Sequence, residues 1–227
     1  MPGNLTTSAQ PKKALRAIVW PVVRNCAMWA VLHSLLASLP AKRAAEQLVG
    51  TKARNGLYRV FYNAQAWLSF GWLVLSIARV PDRELHRVEG PATKLLLLGR
   101  LGAAGLTAWS GVILGPLRFN GVPQLLAYLK GKQPPPEDEA QGPIREQGRL
   151  KVVGPFRVVR HPANAGPFLF ALFSPRITVK GLTLAALLGL YALLGSLHED
   201  YRLRARYGEE YEHYRQEVPF IVPRLPG

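Results

Sequence analysis

Long apolar runs recur near residues 14–39, 57–80, 95–117, 162–174 and 181–198, and the stretches between them hold most of the lysine, arginine, acid and proline. Few folds tolerate such a pattern. A chain that must satisfy every backbone N–H and C=O without water does so within helices, leaving apolar side chains to face lipid. The pattern predicts an all-α fold, a polytopic membrane helix bundle of about five transmembrane helices. The runs from 57 and from 95 are each about long enough to cross roughly 30 Å of hydrocarbon. The last two are shorter, which suits tilted or locally water-exposed segments.

The formal net charge is +15, an excess of cations that in a soluble domain would suggest a nucleic-acid partner. Here the basic residues flank the apolar runs, an arrangement that anionic lipid headgroups reward. Membrane lipid is therefore the expected partner; no nucleic acid and no obligate protein partner is expected. A lone cysteine, Cys26, excludes an internal disulfide framework and any cysteine-based metal cluster, and no metal site is expected. The first apolar run contains Arg24 and His33 and is too long for a signal-peptide core, so it reads as a retained helix that Pro21 can kink.

Individual residues refine the pattern. His33 stands at the end of the first run, where a histidine satisfied by a neighbouring carbonyl and a functional histidine are equally compatible with the sequence. Gly99, Gly102, Ala103 and Gly111 give the third run the small-residue spacing that lets helix backbones approach closely, while Arg100 within it needs a partner, a cavity or the interface. "LRFNGVPQLLAYLKGK" reads as a short interfacial amphipathic segment, and the proline- and acid-rich "QPPPEDEAQGP" as an aqueous loop. Pro162 suits the first turn of the next helix, and Gly208 divides the charged C-terminal segment into two helical pieces.

The link between the last two apolar runs is so short that they must form a helical hairpin. "VVRHP" at its start and "HEDYRLRARYGEEY" at its end therefore meet on one side of the membrane. Assigning that side to the cytoplasm puts the larger share of lysine and arginine inside and the N-terminus outside.

"GPFRVVRHPANAG", an apolar hairpin, and then "HEDYRLRARYGEEYEHYRQEVPFIVP" occur in this order over roughly residues 141–223. Together they resemble the C-terminal half of the isoprenylcysteine carboxyl methyltransferase family of membrane enzymes, a group that extends to phospholipid N-methyltransferases and methanethiol S-methyltransferases. "HSLLASLPAKRAA", "RNGLYRVFYN" and "LRFNGVPQLLAYLKG" look more like the thiol methyltransferases and their NnrU-type relatives. Where prenylcysteine enzymes carry an arginine four residues before the first acid, this chain has Gly195, which argues against a prenylcysteine carboxylate as substrate. Two tyrosines of the family pattern are Phe156 and Asn164 here, so two ring hydroxyls are absent, and the second acid is the shorter Asp200.

The resemblance implies S-adenosylmethionine as methyl donor, held in a cytosolic cofactor-binding cap. Carried over by position, it implies that Gln141, Gly148, Arg149, Leu150, Lys151, Phe156, His161, Pro162, Ala163, Asn164 and Glu199 line the cofactor site, with Arg160, His161 and Glu199 catalytic. A carboxylate such as Glu199 suits ribose hydroxyls or the ammonium, and an arginine suits the carboxylate of that cofactor. Arg24, His33 and Arg100 are the expected acceptor-side residues, and either His161 or His33 could serve as base.

The domain organisation expected is one structural unit, with transmembrane helices and an interfacial segment over 1–130, and the catalytic loop, hairpin and cofactor-binding segment over 131–227. The corresponding function is methyl transfer to a small or lipophilic acceptor, a thiol before an amine or phospholipid, at the cytoplasmic face of a bacterial inner membrane. A non-catalytic protein that keeps the family fold, and a sterol-type membrane reductase, are the competing readings. Arg157 and Arg160 also fit simple interfacial anchors, Glu199 and Asp200 a solvated helix start paired with Arg202 and Arg204, and Tyr207, Tyr211 and Tyr214 interfacial packing.

Overall fold

The computed structural model describes residues 9–135, 144–146 and 149–221. Eight helices dominate these residues: α1 (Ala9–Ala37), α2 (Leu39–Ala78), α3 (Pro91–Leu114), α4 (Pro116–Phe119), α5 (Val122–Leu129), α6 (Pro162–Leu172), α7 (Val179–Tyr207) and α8 (Glu209–Glu217). Among the described residues, three helices are long and apolar enough to cross a membrane, over Lys12–Ala37, Pro91–Leu114 and Val179–Tyr207. The second apolar run lies in the C-terminal half of α2, whose polar Asn63 and Gln65 dilute it. The fourth forms only the 11 residues of α6, about 16 Å at 1.5 Å per residue, too short to cross alone.

The distribution of side chains is that of a lipid-facing bundle. Leu68, Leu101 and Val112 stand 77%, 69% and 68% exposed, while Asn25, Asn55, Asn63, Ser110, Gln124 and Ser196 are buried. Water would drive the reverse arrangement. In hydrocarbon, polar side chains turn inward to find partners and apolar ones lose nothing by facing out.

Local chemistry sets the helix limits. Ser38 caps α2 by accepting from the Ala41 amide at 3.3 Å, and Gly50, at φ 78°, interrupts that helix where a residue with a Cβ would be strained. Pro162 opens α6 as expected, and Gly208, at φ 57°, separates α7 from α8. Pro21 lies within α1, and the helix continues through it.

Two short antiparallel pairs, which the all-helical reading did not include, complete the fold: β1 (Glu84–Arg87) with β4 (Arg176–Thr178), and β2 (Ile144–Glu146) with β3 (Arg149–Lys151). The first arises because the links α2–α3 and α6–α7 emerge at the same end of the bundle and satisfy each other's backbone groups. At that end Ile18 and Val22 of α1 pack with Val80 and Val179, and Lys180 Nζ donates to the Val80 carbonyl at 2.9 Å.

The half-length α6 runs antiparallel to α7 and leans on α3. Gly166 makes this possible: a Cβ there would sit 1.9 Å from Thr107 Oγ1 and 2.8 Å from the Ala103 carbonyl oxygen. Of the small residues noted on α3, Ala103 serves this approach and Gly99 faces the Phe173 ring, whereas Gly102 and Gly111 open onto space. Phe168 packs over Gly189 on the other side, so α6 is wedged between α3 and α7. Its N-terminus, His161, thereby meets the far end of α7.

Candidate active site

Glu199 and Asp200 follow Val179 by about 20 residues, which is about 30 Å of helix and comparable to the thickness of a hydrocarbon layer. They occupy the end of α7 opposite the β1–β4 pair. Both carboxylates are buried, as are Arg160 and His161 of the loop entering α6. A charge removed from water survives only with a partner, and here each has one.

His161 is at the centre. Its Nδ1 lies 3.2 Å from Glu199 Oε2 and its Nε2 2.7 Å from Asp200 Oδ1. Burial works to lower its pKa, but the hydrogen bonds to Asp200 and Glu199 and the two negative charges outweigh that and raise it. With a carboxylate on each nitrogen the ring is held as an imidazolium, both N–H groups donating and no lone pair left to take a proton. The ring is 2% exposed and packs edge-on to Phe220, with centroids 5.1 Å apart. Both ring nitrogens of His161 are thus engaged by carboxylates.

Asp200 collects the most donors. Besides His161 it accepts from the buried Tyr211 hydroxyl, and its Oδ2 lies 3.2 Å from Arg160 Nη1 and 3.3 Å from Arg215 Nε. Burial and, after it, the Asp200 carboxylate push the Tyr211 phenol well above its ordinary pKa, so it stays a donor. Tyr214 donates to the Phe156 carbonyl at 2.7 Å, pinning α8 against the 3₁₀ turn Gly154–Arg157. The last described residues close the arrangement, since the Arg160 and His161 amides donate to the Pro219 and Phe220 carbonyls at 2.9 and 3.3 Å.

Asn164, which replaces a tyrosine of the family pattern, has its own function in the network. Its amide nitrogen donates to Ser196 Oγ at 3.0 Å and to Glu199 Oε2 at 3.2 Å. Both bonds to Glu199 fall on Oε2, which leaves Oε1 to accept from a ligand. Arg160 Nε is buried with no hydrogen-bond partner, and Nη1 meets Asp200 at ion-pair distance without hydrogen-bond geometry. The site thus holds an acceptor, Glu199 Oε1, and a cationic donor, Arg160 Nε, that the described residues do not engage.

Of the residues the sequence assigned, Arg160, His161, Asn164 and Glu199 come together, with Phe156 and Pro162 buried beside them and Ala163 half-buried. Leu150 is drawn in through its amide, which donates to Glu210 of α8. Gln141 and Gly148, and the side chains of Arg149 and Lys151, lie outside the described residues. The acceptor-side group is dispersed: Arg24 is exposed and bonds to Asn25, Arg100 stacks over the Phe170 ring at 4.1 Å, and His33 joins a separate aromatic cluster. Asp200 and Tyr211 matter more than the sequence suggested. Glu199 and Asp200 are inside the packing, not on a solvated helix start.

No family model matches the chain, and no solved structure does. Among curated proteins, methanethiol S-methyltransferase 1 of Bradyrhizobium diazoefficiens is 27% identical over 199 residues, covering 87% of this chain and 64% of that protein. The methanethiol S-methyltransferase of Pseudomonas deceptionensis is 26% identical over 222 residues, 91% of this chain and 75% of that protein. That of Crocosphaera subtropica is 36% identical over 75 residues, 33% of this chain and 29% of that protein. The chain thus spans less than two thirds of the length of two of these relatives. Across most of its length the chain is similar to proteins named methanethiol S-methyltransferase.

Proposed function

We propose that this chain is an integral membrane methyltransferase that uses S-adenosylmethionine to methylate a small thiol, with its donor site at the cytoplasmic face of a bacterial inner membrane. The observation that carries the reading is the pairing of an unpartnered buried Arg160 Nε with a free Glu199 Oε1 at the end of a membrane-length helix. A zwitterionic cofactor with a ribose diol needs both kinds of group. The names of the relatives support methyl transfer to a thiol.

When bound, S-adenosylmethionine supplies an electrophilic methyl group on a sulfonium. The chain's own residues do the rest. Arg160 would hold a carboxylate, Glu199 would accept from hydroxyl or ammonium groups, and Asn164 aims Glu199 through Oε2. His161, locked between Glu199 and Asp200, sets the spacing of both acids without exchanging a proton. The surrounding apolar helices exclude water, so proximity and alignment supply most of the acceleration.

The test is calorimetric titration of the detergent-purified protein with S-adenosylmethionine, beside Glu199→Ala, followed by gas-chromatographic detection of the methyl thioether formed from methanethiol. Saturable binding that Glu199→Ala abolishes, together with thioether production, supports the proposal. A folded wild-type protein that binds no S-adenosylmethionine would sink it.

A further inference from the structure

A second polar cluster lies outside the His161 site, where α1, α2 and α7 pack. The Tyr62 hydroxyl is 2.7 Å from His33 Nε2. Trp29 stacks on the His33 ring with centroids 4.8 Å apart, and Phe70 and Tyr191 meet Trp29 at 6.0 and 5.6 Å. Among the described residues no carboxylate lies within hydrogen-bond or ion-pair reach of His33, in contrast to His161, so its ring has no anion there to hold it as a cation. A neutral imidazole accepting from a phenol keeps a usable lone pair.

This cluster lies part-way along the bundle, nearer the charged site than the β1–β4 pair. Tyr58 ties the two helices there by donating to the Leu36 carbonyl at 2.7 Å. Tyr191 precedes Glu199 by eight residues, about 12 Å along α7. Arg202, one turn beyond Glu199, and Arg59 both lie near Tyr62. Arg202 Nε and Trp29 Nε1 are both buried without a hydrogen-bond partner. The groups around the His33–Tyr62 pair are thus Tyr58 and Arg59 from α2 and Tyr191 and Arg202 from α7.

We propose that Tyr62 and His33 form a proton relay that ionises the acceptor thiol, seated among Trp29, Phe70 and Tyr191. The inference rests on the thiol methyl transfer proposed above. A simple thiol is mostly protonated near neutral pH, and the thiolate is the nucleophile. In the relay, the S–H proton passes to the Tyr62 oxygen as the Tyr62 hydroxyl proton passes to His33 Nε2. The electron pair freed on sulfur forms the new C–S bond while the sulfonium C–S bond breaks and leaves its pair on the donor sulfur. The products are a methyl thioether, a neutral thioether from the donor, and a His33 imidazolium that returns its proton to water. His33 and Tyr62 are only half-buried, which leaves a lipid-soluble thiol a way in.

Thiol acidity separates this proposal from a structural role. An aryl thiol such as thiophenol is ionised near neutral pH and needs no base, whereas ethanethiol does. Methyl transfer to both is measured for the wild-type protein, His33→Gln and Tyr62→Phe, with S-adenosylmethionine binding followed calorimetrically in each. The relay predicts a loss of about 10²- to 10⁴-fold with ethanethiol. It predicts less than about 10-fold with thiophenol, and unchanged donor binding in both variants. Tyr62→Phe, which keeps the ring and its packing, guards against misfolding of the histidine variant. Equal losses with both thiols, or an unchanged ethanethiol rate, would overturn the relay while leaving the thiol reading intact. A wild-type protein that methylates neither thiol would remove both.

Discussion

Asp200 Oδ1 stands 2.7 Å from His161 Nε2 and also accepts from Tyr211, so one carboxylate joins the start of α6, the end of α7 and α8. Substituting Asp200→Asn leaves the His161 and Arg160 charges buried with reduced compensation. The expected cost is about 3–5 kcal/mol, the range for breaking a buried ion pair from one side. Thermal unfolding in detergent reads it, and a loss below about 1 kcal/mol would contradict the role assigned to Asp200.

The protonation of His161 makes stability pH-dependent with a definite sign. Its folded-state pKa is raised above the ordinary value, so its charged contribution is fully present below that ordinary value. The contribution is lost as pH rises through the raised folded-state pKa. The difference in melting temperature between the wild-type protein and His161→Gln is therefore expected to be largest at mildly acidic pH and to shrink as pH rises. A gap that widens with pH would show that the ring is neutral in the fold.

Two tyrosines of α8 should behave differently on loss of their hydroxyls. Tyr211→Phe removes a hydrogen bond to a carboxylate, at about 1.5–3 kcal/mol, and Tyr214→Phe one to the neutral Phe156 carbonyl, at about 0.5–1.5 kcal/mol. Denaturation of both variants under one condition tests the order, and the reverse order would contradict the network.

Gly166→Ala tests the seating of α6. The new methyl group would meet Thr107 Oγ1 and the Ala103 carbonyl, one a side chain that can rotate and the other a backbone atom that cannot. Overpacking of this kind costs about 1–3 kcal/mol. Because His161 caps the start of α6, binding of the proposed S-adenosylmethionine donor, measured by calorimetry, should weaken along with the melting temperature. The double variant Gly166→Ala/Thr107→Ala, which opens space on α3, should recover part of both.

How far the sequence could be read differed by level. The apolar run lengths sufficed for a lipid-facing helical bundle, because hydrocarbon offers backbone groups no partner outside a helix. Pro162 and Gly208 marked helix ends through their own dihedral preferences, which no neighbour can override cheaply. The short turn between the last two runs and the ordered C-terminal blocks sufficed to bring Arg160, His161, Asn164 and Glu199 to one surface, since a hairpin leaves little freedom in which end meets which.

Other properties depended on distances between residues far apart in the chain. Whether His161 is a base or a fixed cation turns on a carboxylate within hydrogen-bond reach of each ring nitrogen, and the phase of α7 against α6 alone determines that. The adjacent Glu199 and Asp200 read equally well as a solvated pair until packing buried them. Trp29 and His33 belong to the first apolar run, Tyr62 to the second and Tyr191 to the last, and their rings meet only because α1, α2 and α7 pack at this depth. The sequence by itself determined that the chain forms a lipid-facing helical bundle with polar clusters at its ends, a matter of composition and length. Tertiary structure decided what each cluster can do, because proton affinity depends on ångström-scale contacts that no periodicity encodes.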